Sequence, residues 1–314
     1  MSNNLISIII PTFNRAHIIG STLESVINQS LTNWECIVVD DLSTDSTENV
    51  VFKYSSLDAR IQFHKRPFSK EKGPSSCRNF GFEISKGDFI YFFDSDDILK
   101  SNALETYFNH FQYNTDAVVS KVEKVDSITK SFLGENMIKS QNLIEDFFIH
   151  KVSFYVCGPM WRKSFLEQQP QLFDESLSNF DDWDFNLRML YANPNLIYLD
   201  SLLVLYIQSP NSLKTEVKKG NRKEIDSAFK ARFKHLQLLI NQNQENEHRF
   251  TKHIAQFYKK TVRQSLFLKN DVWFVYFKRS IVLLFKLKEY KSIIKLILGV
   301  VSVKLFSKGY MFFE

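Results

Sequence analysis

Three apolar runs constrain this chain most: each stops abruptly in polar or acidic residues, and each is followed by a helical pattern. Leu5 to Ile10 runs into Pro11-Thr12-Phe13-Asn14-Arg15, Glu35 to Val39 into Asp40-Asp41, and Phe89 to Phe93 into Asp94-Ser95-Asp96-Asp97. The last run is apolar almost throughout, as in a strand buried on both faces. Helical patterns follow at about 17–28, from Ser43–Asp45 to about 54, and from Pro74 or Ser75 to about 85, with a short strand over Ile61–His64. Strands alternating with helices imply an α/β fold with a mostly parallel sheet and right-handed crossovers. The three polar clusters then lie along one sheet edge, outside which open α/β sheets bind their ligands.

Three carboxylates within four positions at a strand end raise one another's pKa unless a cation compensates them. Their oxygens are hard ligands that suit Mg²⁺ or Mn²⁺. The competing reading is a helix cap, with Ser95 or Asp96 capping a helix that starts near Ile98. There is no Gly-x-x-x-x-Gly-Lys and no Gly-x-Gly-x-x-Gly, so neither a P-loop nor a dinucleotide fingerprint holds a nucleotide here.

The three cysteines, Cys36, Cys77 and Cys157, form neither a CxxC pair nor an even framework, and no signal peptide is apparent, which points to a reducing cytoplasm. Charge divides the chain. Residues 1–213 hold 18 Lys/Arg against 27 Asp/Glu, a balance of −9, whereas residues 214–314 hold 22 against 8, a balance of +14. A boundary falls near Ser212–Gly220, giving an acidic domain over 1–213 and a basic helical region over 214–314.

SIIIPTFNRA, CIVVDDLSTDST, KGPSSCRNFG and GDFIYFFDSDD, in that order, resemble glycosyltransferase family 2. The resemblance implies the GT-A fold, with a nucleotide-sugar half over about 1–100 and an acceptor half over about 101–213. It also implies inverting transfer from a nucleotide-sugar donor, UDP-linked in the typical case. Asp40 would bind the base, where the alternative is an Asx-turn carboxylate, and Asp41 would be structural. Pro11, Thr12 and Phe13 would supply backbone contacts and an apolar wall to that base. Arg15 is either a donor contact or a solvated residue at the helix start. Arg78, early in its helix, would reach the diphosphate or ribose. Asp94-Ser95-Asp96 would be the DxD motif, Asp94 contacting ribose or metal and Asp96 ligating the Mn²⁺ or Mg²⁺ that bridges the diphosphate.

The second charged focus is Phe180-Asp181-Asp182-Trp183, opening a helix on which Phe185 and Met189 share a face. The family pattern puts Glu-Asp here. Asp182 takes the position of the general base, and Asp181, shorter than Glu, the supporting one. A carboxylate at a positive helix end is expected to stay ionised at neutral pH. The alternative is helix capping alone. Trp161, in Cys157-Gly158-Pro159-Met160-Trp161 leading into a short helix, either stacks on an acceptor sugar or belongs to the core. Ile207 departs from the Tyr-Arg that many relatives carry, which leaves Ser212 as a weak diphosphate candidate.

Residues 220–268 carry helical periodicity. Residues 272–306 interleave aromatic and aliphatic residues with Lys and Arg, and their uncharged runs are too short for a span of about 20 apolar residues. That profile fits an amphipathic helix pair in the interface of the inner membrane, or a hairpin packed on the protein. The expected activity is transfer of a sugar to a hydroxyl of a glycan or lipid-linked acceptor. The rivals are a non-catalytic glycan or membrane adaptor and a nucleotidyltransferase; the latter wants a Gly-rich triphosphate loop that Pro11–Arg15 is too short to provide. No nucleic-acid module is recognisable in the basic region.

Overall fold

The computed structural model describes residues 4–208, 219–242 and 247–313. Ser212 lies outside them. The chain forms two compact units, Met1–Ser176 with Asp181–Ser209, and Leu177–Phe180 with Pro210–Glu314.

The first unit is built on one sheet of nine strands among the described residues. β1 (Ile6–Thr12), α1 (Ile19–Ile27), β2 (Trp34–Asp40), α2 (Thr47–Leu57), β3 (Ile61–Lys65), α3 (Pro74–Ile84) and β4 (Phe89–Phe92) give the alternation expected from the sequence. β3, β2, β1 and β4 lie side by side and parallel. Beyond β4 the sheet turns mixed. The later elements are β5 (Ile98–Leu99), α4 (Ala103–Asn109), β6 (Ala117–Asp126), β7 (Phe132–Glu135), α5 (Leu143–Phe148), β8 (Pro159–Arg162), α6 (Lys163–Glu167), α7 (Asp181–Tyr191) and β9 (Leu196–Gln208). β8 pairs antiparallel with both β4 and β6, β6 runs parallel to β9, and β5 and β7 pair antiparallel with β9 and β6.

β1, β2 and β4 are buried at every position, which explains why they read as continuous apolar runs rather than alternating ones. In register, Thr12 lies opposite Asp40 and Ile9 opposite Phe92, so the three carboxyl ends sit together on one edge. Helix α3 reaches that edge by packing very close to β1. A Cβ on Gly81 would stand 2.4 Å from Ile9 Cγ2, so only glycine allows the approach.

One local expectation fails. No helix starts at Ile98: Ile98–Leu99 is a strand paired with β9, and the next helix begins at Ala103, so capping does not explain Asp94–Asp97. Pro159–Arg162 does lead into a short helix, α6, and is itself strand β8 against β4, because Met160 and Trp161 fill the sheet core.

The second unit is helical: α8 (Arg222–Gln242), α9 (Glu247–Phe267), α10 (Trp273–Lys286) and α11 (Tyr290–Phe306). Phe229, Ile254, Tyr258, Tyr276 and Leu296 form its interior. Among the described residues no helix is long and apolar enough to cross a membrane.

Candidate active site

The loop after β1 is stitched to the loop after β2. Asn14 adopts a left-handed conformation (φ 52°), which an Asn tolerates, and its side chain accepts the Thr44 N–H at 2.8 Å. Ser43 Oγ accepts the Asn14 N–H at 2.8 Å, Thr47 Oγ1 that of Arg15 at 2.9 Å, and the Asp45 carboxylate that of Ala16 at 3.1 Å. Leu42 is held at φ 62°, an uncommon conformation for a branched side chain, just after Asp40-Asp41.

Asp40 closes its own turn, accepting the Ser43 N–H at 2.8 Å on one oxygen and the Ser43 hydroxyl on the other. The Asx-turn reading therefore holds, and each oxygen keeps one lone pair for a further donor. Asp41 is structural as expected: it is buried and paired with Arg66 at 2.5 Å. Pro11 and Thr12 belong to the strand and are buried, and the Thr12 carbonyl is taken by the Asp41 N–H at 2.8 Å. That leaves the half-exposed Phe13 ring as the apolar wall, with Lys72 Nζ 4.2 Å above it.

Past β4, Asp94 and Asp96 remain partly open, with side chains 29% and 33% exposed, while Ser95 and Asp97 are buried. Arg15 Nη2 lies 3.8 Å from Asp96, so Arg15 stands beside the acidic loop while its side chain stays 43% exposed. Burial, and then the Asp94 charge, push the Asp96 carboxyl above its ordinary range. Burial does the same to Asp97 more strongly, with Asp94 and Asp96 adding to it. Asp97 accepts the Ile207 backbone N–H at 2.9 Å and so ties the loop to β9. The side chain at 207 is immaterial to that bond, which any non-proline residue could make.

Arg78 corrects the sequence reading. Its guanidinium is enclosed, with the side chain 6% exposed, and it bridges Asp94 (2.6 Å) and Asp181 (2.7 Å) instead of standing open to a diphosphate. Asp181, which also receives the Ser75 hydroxyl at 3.4 Å, thereby gains a defined supporting role despite being shorter than Glu. Phe180, at φ 67°, sets the entry to α7.

Asp182 departs from expectation too. The Trp183 N–H reaches it at 2.7 Å, but burial and the adjacent Asp181 charge outweigh that bond and raise its carboxyl from 3.8 to about 7. A helix-end carboxylate is therefore not fully ionised here at neutral pH; its affinity for protons is that of a base poised for transfer.

Of the two readings of Trp161, the core one holds. It is fully buried, stacked on Phe165 at 5.5 Å and edge-on to Phe185 at 5.9 Å, so it supports α7 from within and offers no face to a sugar. The aromatic pair nearer the acids is Tyr155 with Tyr206, ring centroids 4.5 Å apart and both half-buried. The Tyr206 hydroxyl is pushed up by burial, then by Asp97, Asp182 and Asp94, which puts all three acids in its surroundings. Sequence reasoning missed this pair because Tyr155, at φ 52°, lies in an irregular stretch with no period to read.

Among the described residues no three His, Cys, Asp or Glu side chains form a metal cage. Asp94 and Asp96 are two hard oxygen donors on one partly open loop, the donor type that a divalent cation takes.

The family model described as Glycosyl transferase family 2 matches residues 7–168. The chain is 30% identical over 258 residues to the poly(ribitol-phosphate) beta-N-acetylglucosaminyltransferase TarP of Staphylococcus aureus, covering 77% of this chain and 76% of that one. It is 32% identical over 179 residues to the UDP-Glc:alpha-D-GlcNAc-diphosphoundecaprenol beta-1,3-glucosyltransferase WfgD of Escherichia coli, covering 50% of this chain and 69% of that one. The crystal structure of S. aureus TarS 1–349 in complex with UDP-GlcNAc superimposes with a TM-score of 0.61 at 20% identity, over 84% of this chain and 72% of that one, a likeness of fold.

Proposed function

The chain belongs to glycosyl transferase family 2, and on that premise we propose that it is an inverting hexosyl- or N-acetylhexosaminyltransferase. It moves the sugar of a UDP-sugar to a hydroxyl of a lipid-linked or polymeric acceptor in bacterial surface-glycan synthesis. The observation that carries this reading is the Arg78 bridge, which holds Asp94 of the acidic loop and Asp181, neighbour of Asp182, on one guanidinium.

In this mechanism Asp182 accepts the proton of the acceptor hydroxyl while that oxygen attacks the anomeric carbon from the side opposite the diphosphate. A base near pKa 7 is well matched to that transfer. Asp181 and Arg78 hold the opening of α7 in place. Phe13 and Asp40 receive the base of the donor. Asp96, with Asp94, would hold a divalent cation, and Arg15 lies 3.8 Å from Asp96 on the same loop. The raised Asp96 carboxyl supports this assignment, since a cation would offset both the burial and the Asp94 charge that raise it. When bound, the cation supplies Lewis-acid stabilisation of the charge on the leaving diphosphate.

We place the protein peripherally, on the cytoplasmic face of the inner membrane. In support, α11 exposes Ile294, Leu298, Val301 and Leu305 at helical spacing, with Lys291, Lys295 and Lys304 also exposed along it.

The test is UDP release from UDP-GlcNAc and UDP-Glc with Mn²⁺, in the presence of undecaprenyl-diphosphate-linked or poly(ribitol-phosphate) acceptors, and the product's anomeric configuration by NMR. A product of inverted configuration is expected. Absence of both metal-dependent UDP binding and transfer would reject the enzyme in favour of an adaptor that keeps the fold.

A further inference from the structure

The helical unit contains a cavity that sugar transfer does not explain. It is an open cleft of about 750 Å³ between α8, α9 and α10, within the range of small-ligand clefts, about 300–1,000 Å³. Its floor is aromatic: Phe229 and Tyr258, both 2% exposed, stack with ring centroids 3.7 Å apart. Val282, 68% exposed, forms an apolar lip.

The lining carries Lys230, Lys278 and Arg279 against a single carboxylate, Asp226. That carboxylate is already compensated, by the Tyr276 hydroxyl at 3.2 Å and by Arg222 and Arg279 at 3.5 Å each. The lining is thus positive above an apolar floor. A free phosphate gains nothing from stacked aromatic rings, and an uncharged hydrocarbon gains nothing from the cations. An amphipathic anion uses both.

We propose that this cleft binds one anionic phospholipid of the bilayer, its phosphate on Lys278 and Arg279 and the start of its acyl chain against Phe233, Val282 and Leu283. The choice of a bilayer lipid rests on the peripheral reading above.

The probe is dihexanoyl phosphatidylglycerol below its micellar concentration, titrated into the full chain by calorimetry, with dihexanoyl phosphatidylcholine and inorganic phosphate as controls. Saturable binding of the phosphatidylglycerol alone is expected. Lys278→Gln with Arg279→Gln should weaken it about thirtyfold, at roughly a factor of five per cation. Because Arg279 also touches Asp226, Val282→Trp serves as a second variant; it fills the lip from an exposed position without changing charge, and it should weaken binding as well. Equal affinity in wild type and both variants overturns the site, as does phosphate binding as tightly as the lipid. A wild-type chain that floats with anionic vesicles but ignores the soluble lipid overturns the site and spares the peripheral reading. A wild-type chain that does not float with anionic vesicles but still binds the soluble lipid supports the site and sinks that reading.

Discussion

Nη1 of Arg78 stands 2.7 Å from a carboxylate oxygen of Asp181, a residue 103 positions further along the chain. The bond fastens the first turn of α7 to α3, and α3 is fixed in turn by the close approach of Gly81 to Ile9. The placement of Asp182 therefore depends on packing between helices and sheet that no local stretch of sequence encodes.

The enclosed guanidinium gives a prediction that separates bridging from direct contact with the diphosphate. Arg78→Lys can serve only one of the two carboxylates and should lower kcat about tenfold or more, while leaving the Kd for UDP close to wild type. A large rise in that Kd with kcat preserved would restore the direct contact. Arg78→Met leaves two carboxylates without their partner and should destabilise the fold by about 3–5 kcal/mol, measured by urea denaturation.

Asp182→Asn keeps the shape of the base and removes its basicity. Transfer should fall by about 10²–10⁴-fold, with metal-dependent UDP binding retained in calorimetry. The variant should also melt a few degrees higher near neutral pH, since it lacks a carboxyl that burial and Asp181 hold away from its ordinary pKa. Turnover close to wild type would reject Asp182 as the base.

The pH dependence follows from the same group. Asp182 works as a base only when ionised, so kcat/KM should climb tenfold per pH unit below about 7 and level off above it. Stability runs the opposite way. Between pH 3.8 and about 7 the folded chain keeps a proton that the unfolded chain has released. This group's contribution to stability therefore declines as pH rises through that window. Asp182→Asn should abolish both slopes; a kcat/KM profile flat from pH 5 to 7 would contradict the assignment.

The strands and the acidic loop were legible because strands buried on both faces leave uninterrupted apolar runs, and their polar ends mark the carboxyl edge. Asp96 and Asp182 could be singled out as candidates because each stands in a short motif that reads locally. What escaped was whatever depends on tertiary distance. Arg78 and Asp181 looked like separate contacts because an ion pair across 103 residues leaves no local trace. Trp161 stayed open between platform and core because a strand edge and a core position read alike in one aromatic residue. The pKa of Asp182 was misjudged because the helix-end dipole is visible in sequence, whereas burial of the carboxyl is not.

Trp161 offers a direct check of the core reading. Trp161→Ala should cost about 3–5 kcal/mol of stability by emptying the space between Phe165 and Phe185. Trp161→Phe should fold and leave the acceptor KM unchanged. A selective rise in acceptor KM in the folded Phe variant would return Trp161 to the acceptor site.

The peripheral reading stands on α11. Ile294, Leu298, Val301 and Leu305 are 45–69% exposed and recur every three or four residues, so they form one stripe along the helix. Apolar surface of that extent is unfavourable in water and favourable in the headgroup region, and each flanking lysine adds about 1 kcal/mol on an anionic surface. The chain should therefore float with phosphatidylglycerol-containing vesicles, less so with phosphatidylcholine alone, and less at high salt, which screens the lysines but not the stripe. Leu298→Asp with Val301→Asp places two charges in the stripe without touching the helix interior, and should abolish flotation while leaving turnover of a soluble acceptor intact. Equal recovery of wild type and this variant would mean that α11 covers itself in some other way and that the bilayer is not its partner.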